Sequence, residues 1–230
     1  MRGALVAVAA AVTALGLTGC AVVAGPQESE DRAVGDVAAV ALATSGDLVV
    51  VRGDLPALTV TAARPALERL TSDVAGGRLT LGSTGTFMTG RIGYLLETSH
   101  LDRVTVQGSG DVTGSDVTGD VLEVVVQGSG DVSFDRVDAR RVTVTVQGSG
   151  DVTLGGRSDE LVVRVAGSGT VHAFELTVDS ADVDIAGSGD VQASPSGTLR
   201  ARIVGSGDVL YRGDPQVTSQ VLGSGDLIRD

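Results

Sequence analysis

From residue 101 to residue 230, apolar and polar residues alternate in short runs that Gly-Ser-Gly interrupts at near-constant intervals. The tripeptide begins at Gly108, Gly128, Gly148, Gly167, Gly187, Gly205 and Gly223, with steps of 20, 20, 19, 20, 18 and 18 residues. Two positions before each first glycine stand Val106, Val126, Val146, Val165, Ile185, Ile203 and Val221; four positions after it stand Val112, Val132, Val152, Val171, Val191, Val209 and Leu227. Both positions are apolar in all seven copies, and the residues between are mostly polar or small. A period of two is the signature of strands with one buried face. Each repeat therefore reads as strand, glycine corner, strand and a variable turn such as Gly114-Ser115-Asp116 or Gly155-Gly156-Arg157.

Repeats of 18 to 20 residues are long enough to circle a small solenoid and return one strand higher. The pattern predicts an all-β fold, a right-handed β-helix or solenoid with the valines stacked inside. A β-sandwich of repeated hairpins would use the same alternation. The corner glycines are expected to relieve crowding and to permit positive φ. Upstream, Ser45-Gly46-Asp47-Leu48 looks like a worn corner, Leu79-Thr80-Leu81 and Ile92 to Glu97 look like strands, Arg64 to Leu70 fits one helical turn with Pro65 near its start, and Gly82 to Gly90 reads as a loop. Residues 36–100 are thus expected to form degenerate coils and a cap, and 101–230 the regular repeats.

Composition agrees with strands. Aromatic residues make up 2% and glycine numbers 33 in 230 residues, while the 42% apolar content suffices for a core. All 17 basic residues are arginine, and the 29 acidic residues give a net charge of -12. That balance argues against nucleic acid as a partner.

At the N-terminus, Arg2 precedes an uncharged apolar run from Gly3 to Leu17, which ends in Leu17-Thr18-Gly19-Cys20. The layout is that of a secretory signal, too short for a membrane span. The tetrapeptide resembles the bacterial lipobox, whose cysteine is lipidated and becomes the mature N-terminus. Residues 1–19 are accordingly read as a lipoprotein signal peptide, Cys20 as the lipidation site, and the polar stretch to residue 35 as a flexible tether to a domain spanning 36–230. This reading puts the protein at the cell membrane, lipid-anchored on its extracytoplasmic face. Cys20 is the only cysteine, so no disulfide forms within the chain.

The lipobox, the irregular first half and the repeated corner, seen in Gly108-Ser109-Gly110-Asp111-Val112 and its copies at Gly128, Gly148, Gly187 and Gly205, together resemble the bacterial family called putative auto-transporter adhesin head GIN domain. The resemblance covers roughly residues 36–230. It implies a β-helical extracytoplasmic protein, brings no catalytic residues, and favours a structural or adhesin-like role.

The feature most like a site is the row Asp111, Asp131, Asp151, Asp190, Asp208 and Asp226, interrupted by Thr170. Stacked coils would set these carboxylates about 4.8 Å apart, where they repel unless something offsets them. Each aspartate could bond amides of its own corner, a task that Thr170 also performs. Alternatively the row could hold Ca²⁺, although the doubled glycines and nine-residue period of calcium β-rolls are missing. A third reading, a polysaccharide-processing enzyme with paired acids, lacks aromatic platforms and lysines. His100 and His172 share no metal-ligand spacing. No cofactor is expected, calcium being the one candidate, and the partner would be an envelope glycan or protein.

One trend bears on partners. The residue before Gly-Ser-Gly is Gln107, Gln127 and Gln147 in the first three copies, then Ala166, Ala186, Val204 and Leu222. An outward ladder that turns aliphatic suggests a covered face in the C-terminal coils, by a loop, another copy or a partner, or else a locally inverted strand. Ile228-Arg229-Asp230 would have to shield or pair the last strand edge, so a homo-oligomer through these coils is a further expectation.

Overall fold

The computed structural model describes residues 26–85 and 90–230, which leaves the signal segment, Cys20 and part of the expected 82–90 loop outside the described residues. In chain order the strands of the first half are β1 (Gln27–Arg32), β2 (Ala39–Leu42), β3 (Asp47–Arg52), β4 (Ala57–Ala63), β5 (Leu70–Ala75), β6 (Arg78–Ser83) and β7 (Gly93–Thr98), with the short helix α1 (Arg64–Leu67) after β4. The repeats supply β8 (Arg103–Val106), β9 (Val112–Gly114), β10 (Val117–Val126), β11 (Val132–Val146), β12 (Val152–Val165), β13 (Val171–Ile185), β14 (Val191–Gly205), β15 (Val209–Tyr211), β16 (Gln216–Gly223) and β17 (Leu227–Arg229). They form a β-solenoid of about six turns. Parallel pairing runs from coil to coil throughout the repeats, which excludes the hairpin sandwich, since hairpins would pair antiparallel.

Each coil has three faces. The first joins β6, β2, β8, the later halves of β10 to β14, and β16. After the glycine corner, the second joins β7, β3, β9, the starts of β11 to β14, β15 and β17. The third is narrower and begins with Val117↔Val137. Of the variable turns suggested by the sequence, Gly155-Gly156-Arg157 is a bend inside β12, whereas Ser115 and Asp116 break the chain between β9 and β10. Gly156 takes φ +116° and Asp116 φ +60° at these positions.

The third face also absorbs the changes in repeat length. Phe134 pairs with Leu154, but Val137 pairs with Gly156, so the 19-residue coil loses its residue between them. In the same way Ala173 faces Ala193, Thr177 faces Ser194, and Ser180 faces Thr198. The two valine ladders and the glycine corner consequently stay in register. Val106, Val126, Val146, Val165, Ile185 and Ile203 are at most 1% exposed, as are Val112 to Val209 on the second face. Burial of each such side chain contributes about 1.5–3 kcal/mol. The last member of each ladder departs from this: Val221 is 40% exposed and Leu227 only half-buried, because no coil lies above them.

The glycines serve close approach more than conformational freedom. A Cβ on Gly148 would stand 1.8 Å from the Gly128 carbonyl oxygen, and one on Gly150 2.1 Å from that of Gly130. Of the corner glycines only Gly205 and Gly223, in the two 18-residue repeats, have positive φ, so the expectation of positive φ at every corner does not hold.

The first half is not stacked in chain order. The coil of β2 and β3 lies between that of β6 and β7 and that of β8 and β9. The far end is then closed by antiparallel strands: β5 on β6, β4 on β7, and β1 on β4. α1 buries Ala66 and Leu67 there. β1 corrects the reading of residues 20–35 as a continuous tether. Ser29 bonds Thr61 across the pair, Thr59 donates to Asp31, and the Arg32 guanidinium, 14% exposed, donates to the Leu67 and Leu70 carbonyls and to Ser72 Oγ. A strand so polar carries no period-two pattern because both its faces meet water.

Candidate functional site

The structure stacks the aspartates beside the glycine corner, as the spacing implied, and assigns their oxygens. Asp111 Oδ1 accepts from the Asp131 amide at 2.9 Å, Asp131 from the Asp151 amide at 2.7 Å, and Asp151 from the Thr170 amide at 2.7 Å. Beyond the gap, Asp190 accepts from Asp208 and Asp208 from Asp226, both at 2.8 Å. The sequence expectation placed these amides in each aspartate's own corner; the donor is instead the same position one coil on. The corner turns the strand away from regular ladder geometry, and the side chain supplies the acceptor that this amide would otherwise lack.

The bonding is reciprocal. The amide of the residue after each row position donates back to the carbonyl of the next row residue: Val112 to Asp131, Val132 to Asp151 and Val152 to Thr170, at 2.8–2.9 Å. Corner serines add a third link, for example the Ser129 amide to the Gly108 carbonyl at 3.1 Å. The Thr170 amide donates to Asp151, but no side-chain bond joins Thr170 to the Asp190 amide among the described residues. The run therefore falls into two segments.

Sequence reading left one member out of the row. Asp47, in the worn corner, lies under Asp111 and accepts from its amide at 3.3 Å, and Gly46 lies under Gly110, whose Cβ would come within 2.0 Å of the Gly46 carbonyl oxygen. The signal was the tetrapeptide Ser45-Gly46-Asp47-Leu48, hidden by the 64 residues that separate it from its structural neighbour. Thr44 takes the place of the first glycine; its hydroxyl lies 3.3 Å from the hydroxyl of buried Tyr94. Burial raises the Tyr94 pKa above its ordinary value, against smaller lowering effects from the Thr44 hydrogen bond and the Arg32 charge.

Among the described residues, no three His, Cys, Asp or Glu side chains converge as a group able to hold a metal ion. One oxygen of each bonded aspartate is already committed to an amide. His100 bonds neighbouring Ser99, and His172 Nδ1 lies 3.1 Å from Gln192 Oε1 in the next coil, so the two histidines stay apart.

The outer surface of the first face carries further ordered side chains. Gln107, Gln127 and Gln147 form an amide ladder with links of 3.2 and 3.3 Å. The aliphatic continuation also points outward: Ala166 and Ala186 are exposed and Leu222 is 52% exposed, so no strand inversion hides it. Charges alternate from coil to coil, with Arg103 on Glu123, Arg141 on Glu160 at 2.6 Å, and Arg202 on Asp184 at 3.3 Å. A shallow groove of about 300 Å³ crosses the later coils of this face, lined in part by Glu160, Ser180, Asp182, Thr198, Arg200 and Gln216. Sequence reasoning did not single these residues out, because the groove exists only once four coils, those of β12, β13, β14 and β16, are stacked.

A family model described as "Putative auto-transporter adhesin, head GIN domain" matches residues 37–215. Solved structures share the fold. A putative adhesin from Bacteroides fragilis superposes with a TM-score of 0.86 at 19% identity, over 89% of this chain and 97% of that one. A putative lipid binding protein from Parabacteroides distasonis gives 0.76 at 22% identity, over 90% and 97%. A putative adhesin from Parabacteroides merdae gives 0.69 at 20% identity, also over 90% and 97%. Comparison with curated proteins gives no match.

Proposed function

Because this chain belongs to the putative auto-transporter adhesin, head GIN domain family, we propose that it is a noncatalytic, adhesin-like binding module of the cell envelope, anchored by a lipid on Cys20. The observation that carries the noncatalytic reading is the use of the aspartate row. Its carboxylates hold the amides of neighbouring coils, so the one ordered row of acids is joined to the scaffold. The surface that suits a polar ligand is the groove on the first face, where Asp182 and Arg200 lie 3.9 Å apart beside the Ser180 and Thr198 hydroxyls. Rigid scaffolds with polar groups at fixed spacing fit the hydroxyl pattern of an envelope glycan. The lipobox-like Leu17-Thr18-Gly19-Cys20 supports the anchor.

Two assays test this reading on the full chain. In fractionated cells, the wild type is expected with the membranes and Cys20→Ala in the soluble extracytoplasmic fraction; membrane retention of Cys20→Ala would remove the lipid anchor. On an array of envelope glycans, the Asp182→Ala, Arg200→Ala double variant is expected to lose binding at least tenfold, and Asp131→Asn with Asp151→Asn to keep it. The opposite order would return the site to the aspartate row and revive the alternative of a cation-dependent polysaccharide-binding or polysaccharide-processing protein.

A further inference from the structure

The two ends of the stack differ in construction. One is closed by β1, β4, β5 and α1, whose charged and buried residues cover the core. At the other, the edge strands β16 and β17 leave inward-facing positions uncovered. Val217 and Val221 are each 40% exposed although they stack on buried Leu199 and Ile203. Leu222 at 52% and Ile228 at 44% extend the apolar rim. Exposed edge strands in soluble proteins usually carry charges, prolines or bulges that discourage pairing. β16, Gln-Val-Thr-Ser-Gln-Val-Leu-Gly, has no charge and no proline.

We propose that this end is a homodimer interface, in which β16 of one copy pairs antiparallel with β16 of a second across a two-fold axis through Ser219. The strand is self-complementary in this register. Val217 of each copy meets Val221 of the other and Ser219 meets its counterpart, so every inward position continues the core; Thr218 faces Gln220 on the outside. A slip of one residue would put inward side chains opposite outward ones and lose that match.

Charge does not oppose a second copy at this end. The chain carries -12 overall, whereas β16 itself carries no charge. Here Arg212 pairs with Asp230 at 2.7 Å and Arg229 with Asp214 at 3.3 Å, which neutralises the last coil except for Asp226. A two-fold contact is also the commonest way in which a chain covers its own exposed patch. The axis lies along the normal of the first face, so both grooves point to one side of a doubled rod, and the two β1 strands lie at its opposite ends.

Cross-linking of the full chain tests this, in a Cys20→Ala background that removes the native thiol. Residues directly opposite in an antiparallel pair have Cα atoms about 4.5–5.5 Å apart, within the roughly 4.4–6.8 Å range of a disulfide. Ser219→Cys is therefore expected to give an oxidised product of twice the 23.0 kDa chain mass. Gln216→Cys, whose counterpart lies six residues along the strand, is expected to stay monomeric. Adding Val221→Lys to Ser219→Cys is expected to abolish the product while circular dichroism shows the fold retained. Equal cross-linking at 219 and 216, no product at 219, or a product with a chain of different mass would each overturn the homodimer.

Discussion

At the residue scale, the stack depends on positions where a side chain is forbidden and positions where one is required. Corner glycines are required because the carbonyl of the coil below occupies the space of a Cβ. Gly150→Val is expected to cost about 3 kcal/mol, and Thr143→Val, on the half-buried outer face, less than about 0.5 kcal/mol, both by chemical denaturation. The aspartates from Asp111 to Asp208 are required because each supplies an acceptor to the amide one coil on. Thr170 is the natural test of this role. Thr170→Asp places a carboxylate in line with the Asp190 amide and is expected to stabilise the protein by about 0.5–1.5 kcal/mol. If repulsion along the row dominated, the same change would destabilise it. The residues that define the corner were legible in sequence because they recur; which amide each aspartate serves was not, since own-corner and next-coil bonding leave the same repeat.

At the scale of elements, the repeated strands were legible and the first half only in pieces. Val-x-Gly-Ser-Gly-Asp-Val announces two strands and a corner; the worn Ser45–Leu48 corner and the 79–81 strand fall where their local patterns put them, the 92–97 strand is shifted by one residue as β7, and the helical turn expected over 64–70 is shorter, since α1 ends at Leu67 and Leu70 opens β5. What local pattern cannot carry is order. Nothing within residues 39–52 says that they pair with both 78–98 and 103–114, because that insertion is made by long-range hydrogen bonds. β1 was missed for a related reason: its residues QESEDR are selected to face water on an edge, so they read as a tether. Arg32 is what ties that edge down. Arg32→Ala frees the Leu67 and Leu70 carbonyls and Ser72, and is expected to cost about 2 kcal/mol, with faster amide exchange in β1 and α1 and unchanged protection in β11 to β13.

At the scale of the whole molecule, the architecture separates the elements that hold the stack together from the surface proposed for recognition. The glycine corner and both inner ladders keep strict register along the stack, while length variation is confined to the third face and the groove with its charged and hydroxyl-bearing residues lies on the outer surface of the first. The family resemblance read from the sequence agrees with the family match to residues 37–215, and that similarity carries the fold rather than a ligand. The most direct measurement is thermal melting of the wild type, Asp131→Asn and Asp131→Ala across a calcium titration to millimolar concentration. A structural row predicts that Asp131→Asn, which keeps an oxygen toward the Asp151 amide, stays within about 0.5 kcal/mol of the wild type, that Asp131→Ala loses about 1–2 kcal/mol, and that calcium shifts none of the three. A dose-dependent rise in the wild-type melting temperature, lost equally in both variants, would contradict it.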